Sequence, residues 1–575
     1  MRTVFLTFLI TISMLWVVSS CKKYADPPPY FEDDSTSAVV GQRKVLLIGI
    51  DGLPGKEFTA LNPPTMMSML QKGKYTLSNA VDDAVSTDAA SWKTLLSGVS
   101  YAKHKVKDST FESLNQPQEG QVGKSYPSLF YFIIRSARPD LKSRFISPWA
   151  DMLNQLTPEV SVKVPVANDQ AAKDATVNAL KNNNDDLVIV HFNGAGIAGK
   201  ANAFSAGNAN YKAAVLKIDG YVNEIMTALK ARPGYNKDEN WLVIVTGTHG
   251  GIDNGYGGGS DAETLVPSIY YNEKFQKTEF VKADYSSAVI SGRDAATVKA
   301  SVDDDIGYYD IGTGNQTIQI KIKGGSAFSY PHFMGKTNAF TQTGWTMFTN
   351  SSGIWCFSYR SSTVGERRLQ TGSNVFDNNW HTLTAVIYDS AGGRWVKRFT
   401  DGVRIADDNG TRNLGTNSGT ITSPSPLYIG WGGDKNYGAM TFNVADFQIF
   451  NVGLTDAEVA GNLCLTDITK HPKYGNLIGY WPCNDGFGSM FKNLAPGKSG
   501  LPLRLSGPYS WNTDPLLPCN ITKTQQGAGQ KQLILSSSSI AGTMFYWLKV
   551  TVNSTWGIDP SNWLEVYENE FVPIQ

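Results

Sequence analysis

The chain has 575 residues, which is more than one hydrophobic core usually serves, so we expect two or three domains. Hydrophobic residues make up 41% and charged residues 18%, proportions that are typical of folded proteins and exclude a disordered chain. The 51 basic residues balance the 51 acidic ones, so no basic field favours nucleic acid as a partner.

The N-terminus has the pattern of an export signal. Arg2 precedes the apolar run "VFLTFLITISMLWVV", and small residues then lead to Cys21. The segment resembles a bacterial lipoprotein signal, in which the cysteine is lipidated and becomes the new N-terminus. We therefore expect a signal peptide over 1–21, a Pro- and acid-rich tether over 22–42, and attachment to a membrane through a lipid on Cys21. An ordinary signal peptide with an incidental cysteine is the alternative.

From Lys44 onward, strand and helix patterns alternate. The runs "KVLLIGID", "DLVIVHFN" and "NWLVIVTG" are continuously apolar, which is typical of strands covered on both faces. Between the last two, "NYKAAVLKIDGYVNEIMTALKAR" has apolar residues at helical spacing. This alternation predicts an α/β fold with a mostly parallel sheet, helices on both faces and functional loops at the carboxyl ends of the strands.

Past about residue 290 the pattern changes to short alternating strands separated by Gly, Asn, Ser and Asp, such as "GIWCFSYR" and "NWHTLTAVIYD". Regular short strands of this kind predict an all-β sandwich. A helical pattern returns in "SSSSIAGTMFYWLKV" near the C-terminus. We therefore predict an α/β domain over 43–285, an inserted sandwich over 290–525, and a segment over 528–575 that closes the α/β domain.

The cysteines after the signal all lie in the second half of the chain, at Cys356, Cys464, Cys483 and Cys519. None forms a CxxC pair, which argues against a zinc ribbon. An exported protein could pair them, but their spacing does not give the connectivity.

Several stretches of the predicted α/β domain resemble the alkaline phosphatase superfamily, in its type I phosphodiesterase/nucleotide pyrophosphatase branch. They are "LLIGIDGLPG", "SWKTLLSGVSYAKHKV", "VIVHFNGAGIAGK" and "WLVIVTGTHGG", and "IAGTMFYWLKVTVNSTWGIDPSNW" is similar to that branch's closing segment. The resemblance implies two divalent cations held by three aspartates and three histidines beside a Thr or Ser nucleophile. Two dications about 4 Å apart repel by roughly 17 kcal/mol at an effective dielectric of about 20, so anionic ligands are required.

Only part of this ligand set is present. Asp51 matches the first aspartate, and His249 matches the histidine of the family's "SDHG" motif. The lost ligand positions are occupied by Gly196, Lys200, Thr248 and Tyr256. The nucleophile position aligns with Asp88, and Ser86 or Thr87 could replace it only if the loop shifted in register. The resemblance therefore implies a degenerate centre with no expected cofactor, or at most one zinc ion on Asp51, Asp88 and His249.

Each of these positions has an alternative interpretation. Lys200 could reach Asp51 or Asp88 and neutralise its charge, or it could point into solvent. His249 could now be a hydrogen-bonded loop histidine. His104 and His191 have no ligand-like partners in the sequence, so we expect both to be structural.

The predicted sandwich resembles the concanavalin-like, laminin-G-type jelly roll through "NNWHTLTAVIYDSAGGRWVKRFTDGVRI" and "MTFNVADFQIFNVGLTDAEVAGN". In that family, Trp380 and His381 would be structural. Such modules bind glycans or protein surfaces through exposed aromatic residues, sometimes with calcium. The candidate platform residues are Trp345, Trp355, Trp395, Trp431 and Tyr437, each of which could instead belong to the core. The acidic turn from Ala406 to Gly410 could bind calcium, or it could be a plain polar turn.

Together these features predict a non-catalytic binding lipoprotein at the cell surface, anchored in the outer membrane, whose ligand is a glycan or a surface protein. By analogy with such lipoproteins, it could assist nutrient capture at an outer-membrane importer. The alternative is an active metal-dependent phosphodiesterase or phosphatase with a rearranged site.

Overall fold

The computed structural model describes residues 41–568 apart from 82–84, 115–125, 136–137, 284, 293–296, 303–306, 328–329, 338, 407–412, 417–418, 431–437, 439, 498–500, 508, 510, 514–517, 521–525 and 560–562. The predicted signal peptide with Cys21 and nearly all of the predicted tether therefore lie outside the described residues. So do Trp431, Tyr437 and most of the acidic turn that ends at Gly410.

The α-helices are numbered here in chain order. They are α1 Gly55–Leu61, α2 Pro64–Met69, α3 Asp88–Ser97, α4 Tyr101–His104, α5 Leu129–Arg135, α6 Asp169–Asn182, α7 Gly194–Asn202, α8 Ala209–Lys230, α9 Asp261–Thr264, α10 Asp456–Gly461, α11 Ser538–Trp547 and α12 Trp563–Tyr567. Short 3-10 turns lie at Leu70–Lys72, Ile468–Lys470, Tyr474–Asn476, Pro518–Asn520 and Ser554–Trp556, and a π turn lies at Met152–Leu156.

One sheet belongs to the α/β part of the chain. Its strands are β1 Gln42–Ile50, β2 Gly73–Ala80, β3 Ser143–Ser147, β4 Val162–Pro165, β5 Leu187–Phe192, β6 Glu239–Gly247, β7 Leu265–Tyr271, β8 Thr278–Val281 and, after the sandwich, β26 Gln530–Gln532. Their order is β26-β8-β2-β7-β6-β1-β5-β3-β4. All neighbouring pairs are parallel except the two that involve β7. The predicted α/β class with a mostly parallel sheet is confirmed.

Helices cover both faces of this sheet, because its central strands carry apolar side chains on both faces. Successive side chains of a strand point to opposite faces. Val45 of β1 belongs to the same buried cluster as Phe545 of α11, and the adjacent Leu46 belongs to the cluster that contains Ile225 of α8. A strand buried on both sides therefore brings its carboxyl end, and the loop after it, to a fixed place at the sheet edge.

The remaining strands form a sandwich. They are β9 Ser286–Ser291, β10 Lys299–Ser301, β11 Gln316–Ala327, β12 His332–Gly335, β13 Gly344–Thr349, β14 Trp355–Arg360, β15 Arg367–Leu369, β16 Trp380–Ser390, β17 Gly393–Thr400, β18 Val403–Arg404, β19 Asn413–Thr416, β20 Tyr428–Ile429, β21 Met440–Phe450, β22 Leu477–Trp481, β23 Met490–Phe491, β24 Leu503–Ser506 and β25 Trp511–Thr513. One sheet has the order β15-β14-β13-β12-β20-β10-β24-β23, and the other β18-β17-β16-β11-β21-β9-β25, with β19 beside β17 and β22 beside β21. Their pairs are antiparallel, and one apolar cluster fills the space between the sheets, which confirms the predicted all-β sandwich.

Cys464 and Cys519 form a disulfide with a Cα–Cα distance of 5.8 Å. Cys356 and Cys483 are buried, and neither is in a disulfide within the described residues. The connectivity that the sequence left open is therefore one bridge between the segment after α10 and the end of the sandwich.

After the sandwich the chain returns to the α/β sheet. Gln530–Gln532 pairs in parallel with β8, and α11 packs on α3. Near the end of the described chain, Glu568 Oε1 lies 2.6 Å from Arg43 Nη2 at the start of β1. Within the described ranges, no helix combines the length and the apolar character that crossing a bilayer requires.

Candidate functional site

The candidate site lies at the carboxyl edge of the parallel strands. Asp51 follows β1 directly, and Thr248 and His249 follow the neighbouring β6. Asp88 opens α3, and Tyr256 lies in the loop after β6. The carboxyl ends of adjacent parallel strands meet at one edge, which is where ligands of open α/β sheets bind.

Asp51 is buried, and both of its carboxylate oxygens accept hydrogen bonds. Oδ1 accepts from the indole Nε1 of Trp92 at 3.0 Å and from the hydroxyl of Thr248 at 2.6 Å. Oδ2 lies 2.6 Å from Nε2 of His191. Three protein donors therefore satisfy a carboxylate that would otherwise be an uncompensated buried charge.

His191 also contacts this site, where it holds the carboxylate of Asp51, a partner that the sequence did not reveal. It is paired with Gly49 in the register of β5 and β1, close to the position where β1 delivers Asp51. Its Nδ1 lies 2.9 Å from the hydroxyl of Ser147, which itself accepts the backbone N–H of Trp149. We assign the roles from these partners: the imidazole accepts at Nδ1 and donates Nε2–H to Asp51. A polar residue within the apolar run of "VIVHFN" was the sequence signal for this role.

His104, in contrast, is structural as expected. Its Nδ1 accepts the backbone N–H of Val106, and its Nε2 lies 2.9 Å from the hydroxyl of Thr94. Burial, together with the nearby charges of Lys93 and Lys105, lowers the pKa of His104 to about 3. It is therefore neutral and holds the turn after α3.

Asp88 and His249 form the second pair of the site. His249 Nε2 lies 2.7 Å from Asp88 Oδ1, in an ion pair whose angle falls outside that of a hydrogen bond. The other nitrogen, Nδ1, donates to the carbonyl of Gly250 at 2.7 Å. The hydroxyl of Tyr256 donates to Asp88 Oδ2 at 2.9 Å, and its ring stacks on the His249 ring with centroids 4.3 Å apart.

The ionisation of this pair follows from its mutual contact. Burial opposes a charge on either group, but the contact with His249 outweighs it and lowers the pKa of Asp88. Burial likewise opposes protonation of His249, but the contact with Asp88 raises the pKa of the imidazole above its ordinary value. Each charge is therefore stabilised by its partner.

Two of the lost ligand positions now carry hydrogen-bond donors. Thr248 donates to Asp51, and Tyr256 donates to Asp88. A hydroxyl donor at these positions occupies oxygen lone pairs that a cation would otherwise use. These hydrogen bonds stabilise the carboxylates of Asp51 and Asp88.

Lys200 does not neutralise either carboxylate. Its side chain is exposed, and its Nζ lies 5.9 Å from the centre of the Tyr256 ring. It makes no salt bridge with Asp51 or Asp88, all three being described residues. Of the two sequence-based alternatives for Lys200, the structure favours the one that points toward solvent.

The remaining sequence-predicted positions have local roles. Ser86 donates to the carbonyl of Gly258 at 2.8 Å, and Thr87 accepts the backbone N–H of Ala90 as the N-cap of α3. A Cβ atom at Gly196 would lie 3.3 Å from the Cβ of Asp51, so α7 approaches the site closely.

A centre of two divalent cations, which the resemblance implies, needs several anionic ligands with free oxygens. One ligand atom each from Asp51, Asp88 and His249 lie within 4.8 Å of one another. Two carboxylates cannot balance two dications, and both already hold protein donors, so the residues do not fit a two-metal centre. One cation would fit the donor set only if His249 lost the proton at Nε2.

The site opens into a cavity of about 330 Å³ lined by Asp51, Asp88, Pro148, Trp149, His191, Asn193, Gly196, Ile197, Lys200 and Tyr256. A second cavity of about 400 Å³ adjoins it, and the two share Asp88, Trp149, Lys200 and Tyr256. The degenerate centre is therefore an open pocket.

In the sandwich, two of the five candidate platform residues belong to the core, the alternative that the sequence had left open for each of them. Trp345 and Trp355 are 1% and 0% exposed and lie in the core, because both side chains point inward between the sheets. Trp395 is half-buried, and its Nε1 donates to the carbonyl of Ser390 at 3.1 Å. As expected, His381 is structural: its two ring nitrogens contact carboxylates at 2.7 and 3.1 Å within the sandwich.

Comparison with known proteins agrees with the sandwich assignment. Residues 303–460 match the family model described as the Concanavalin A-like lectin/glucanases superfamily, so the sandwich contains a laminin-G-type domain. No curated protein matches the chain.

Among solved structures, the chain is similar to a 2-O GAG sulfatase, at 14% identity over 40% of this chain and 64% of that chain, with a TM-score of 0.31. It is similar to a candidate carbohydrate-binding protein from Bacteroides ovatus, at 13% identity over 50% and 71% of the two chains, with a TM-score of 0.29. It is also similar to human ectonucleotide pyrophosphatase/phosphodiesterase 5, at 14% identity over 36% and 57%, with a TM-score of 0.29. The chain thus spans less than two thirds of the length of the sulfatase and of the human protein.

Proposed function

We propose that the protein is a glycan-binding lipoprotein of the outer membrane, exposed at the cell surface, in which the α/β domain is no longer a phosphoester hydrolase. The lectin-type family match of residues 303–460 supports glycan binding. The apolar run before Cys21 supports the lipid anchor. A role in nutrient capture beside an outer-membrane importer is part of the same proposal.

One observation carries the non-catalytic part. At two lost ligand positions, Thr248 and Tyr256 donate hydroxyl hydrogen bonds to Asp51 and Asp88. These hydrogen bonds occupy part of the acceptor capacity that cations would use, and the nucleophile position itself is the carboxylate of Asp88. An acid at that position repels the anionic ester that a nucleophile would have to attack.

A second candidate function is a one-cation phosphodiesterase. The Nδ1–H of His249 donates to the carbonyl of Gly250. A metal-binding histidine usually makes such a hydrogen bond with the ring nitrogen that does not bind the metal, so this contact favours the alternative. In this alternative, His249 Nε2 would lose its proton and bind zinc together with Asp51 and Asp88.

Metal content separates the two candidates. The full chain is equilibrated with zinc and dialysed, and bound metal is counted by elemental analysis in the wild type and in His249→Gln. The proposal predicts far less than one zinc per chain and no difference between the two proteins. One zinc per wild-type chain, lost in His249→Gln and accompanied by hydrolysis of bis(p-nitrophenyl) phosphate, would overturn it. Protease accessibility on intact cells tests the surface location separately.

A further inference from the structure

The former metal pocket has the dimensions of a ligand site. Its two adjoining cavities, of about 330 and 400 Å³, fall in the range of pockets that hold small molecules. Because they share four lining residues, one ligand could extend through both. The laminin-G-type sandwich, in contrast, buries the side chains of Trp345 and Trp355, two of its five candidate platform residues.

An aromatic side chain forms a wall common to both cavities. Trp149 lines each of them, and it is half-buried rather than enclosed. Its ring packs against Phe111 at a centroid distance of 5.2 Å, which restrains its orientation. The indole Nε1 makes no hydrogen bond to any residue within the described ranges, so this donor remains available. Trp149 therefore offers a ligand an aromatic face whose orientation is restrained by Phe111, together with its indole N–H as a hydrogen-bond donor.

Opposite charges stand beside this wall without pairing to each other. The side chain of Asp88 is 35% exposed, and the carboxylate has acceptor capacity left beyond its contacts with His249 and Tyr256. Lys200 is exposed and forms no ion pair with a described residue. A hydrogen bond of 3.1 Å from Asn254 Nδ2 to the Lys200 carbonyl restrains the backbone from which this side chain extends. The pocket thus presents an acceptor and a donor side by side.

Acidic side chains outnumber basic ones along the two cavities. Asp51, Asp88 and Asp108 supply three carboxylates, while Lys107 and Lys200 supply two ammonium groups. A phosphate ester would bring negative charge close to the carboxylates of Asp51 and Asp88, and it offers acceptors but no donors. A neutral ligand avoids both costs.

From these features we propose that the former metal pocket binds a short, neutral, hydroxyl-rich sugar segment, with Trp149 stacked on a sugar face and with Asp88 and Lys200 bonding its hydroxyls. Vicinal hydroxyls donate and accept at once, so one pair of them matches a carboxylate and an ammonium together. The apolar face of a sugar ring matches the indole surface. This inference rests on the proposed glycan-binding function and assigns its ligand to the α/β domain.

The test is a binding measurement on the full chain. The protein is kept in a detergent without a sugar head group and titrated calorimetrically with neutral gluco-, manno-, galacto- and xylo-oligosaccharides. Trp149→Ala should weaken the affinity for the bound oligosaccharide at least about tenfold, the effect of losing one well-packed aromatic anchor. The matched control Trp395→Ala removes the half-buried tryptophan of the sandwich and should bind like the wild type.

Further variants keep the test valid if Trp149→Ala folds poorly. Lys200→Ala changes an exposed side chain and should also weaken binding, whereas Trp149→Phe should retain most of it. Near-ultraviolet circular dichroism checks that each variant is folded. Inorganic phosphate at millimolar concentration should not displace the sugar.

The outcomes separate this inference from the proposed function. Loss of binding in Trp395→Ala with full binding in Trp149→Ala and Lys200→Ala would move the site to the sandwich and overturn the inference alone. Displacement of the sugar by phosphate would overturn the neutral ligand class. If the wild type binds none of the oligosaccharides, both the inference and the proposed glycan binding are wrong.

Discussion

Thr248 shows at the scale of one residue how the buried carboxylate of Asp51 is stabilised. Its hydroxyl lies 2.6 Å from Asp51 Oδ1, and both side chains are buried. In the family pattern this position is an aspartate, and two buried carboxylates at such a distance need a cation or a shared proton between them. The threonine removes one negative charge and supplies a donor to the other, so the pair is stable by itself.

Restoring the lost acid should therefore make the domain dependent on metal. In Thr248→Asp we expect a loss of about 3 kcal/mol or more in the free energy of unfolding in the presence of a chelator, because a buried charge is left unpaired. Added zinc should recover part of this loss, since binding to the folded state alone is stabilising. Urea denaturation with and without zinc measures both effects.

Thr248→Asn is the matched control, because asparagine has nearly the shape of aspartate, no charge and an N–H donor for Asp51. It should lose much less stability and should not respond to zinc. Equal losses in the two variants, both insensitive to zinc, would mean that side-chain size rather than charge decides the stability at this position.

Helix α3 depends on a neighbouring hydroxyl for its start. Thr87 Oγ1 accepts the backbone N–H of Ala90 at 3.3 Å and donates to the Lys107 carbonyl at 2.6 Å. The cap satisfies one of the free N–H groups of the first turn and places Asp88 at the positive end of the helix dipole. From the sequence, Thr87 was a possible replacement nucleophile. In the structure it caps α3 and thereby positions Asp88.

Removing this cap should destabilise the α/β domain modestly. We expect Thr87→Ala to lower the free energy of unfolding by about 1 kcal/mol, the usual cost of losing an N-cap side chain. Thr87→Ser keeps the oxygen and should lose much less. The comparison is made by urea denaturation, and a serine variant as unstable as the alanine variant would show that the threonine methyl, not the cap, matters.

The main strands were predictable because each is a continuous apolar run in a sheet covered on both faces. Tyr256 and Thr248 could be located because the glycine-rich loops around them resemble the family pattern. What those side chains do was not predictable, since the sequence does not give the distances to Asp51 and Asp88. His191 was missed for the same reason: its partner lies on the neighbouring strand, far away in sequence.

The sandwich shows where the period-two pattern of a strand becomes ambiguous. Trp345 and Trp355 alternate with smaller side chains, and either face of their strands could have been the outer one. Only the pairing of the two sheets places both indoles in the core. A large aromatic residue in a short strand is thus a weak guide to a binding platform.

The chain folds its α/β part from two segments separated by the sandwich. The closing segment supplies β26 to the sheet and the buried Phe545, which shares a core cluster with Leu47 of β1. A salt bridge of 2.7 Å between Lys492 of the sandwich and the largely exposed Asp261 joins the two parts. Exposed ion pairs contribute little to stability, so we expect the two cores to unfold with limited coupling.

Matched core variants test this independence. Phe545 and Phe447 are both 0% exposed, the first in the α/β core and the second in the sandwich core. Each substitution to alanine should cost about 3–5 kcal/mol in its own core, from lost burial and the cavity left behind. Calorimetry should show Phe545→Ala lowering one thermal transition and Phe447→Ala lowering the other. If either variant lowers both transitions equally, the sandwich and the α/β part unfold as one unit, and the sandwich is then a structural element of the domain that it interrupts.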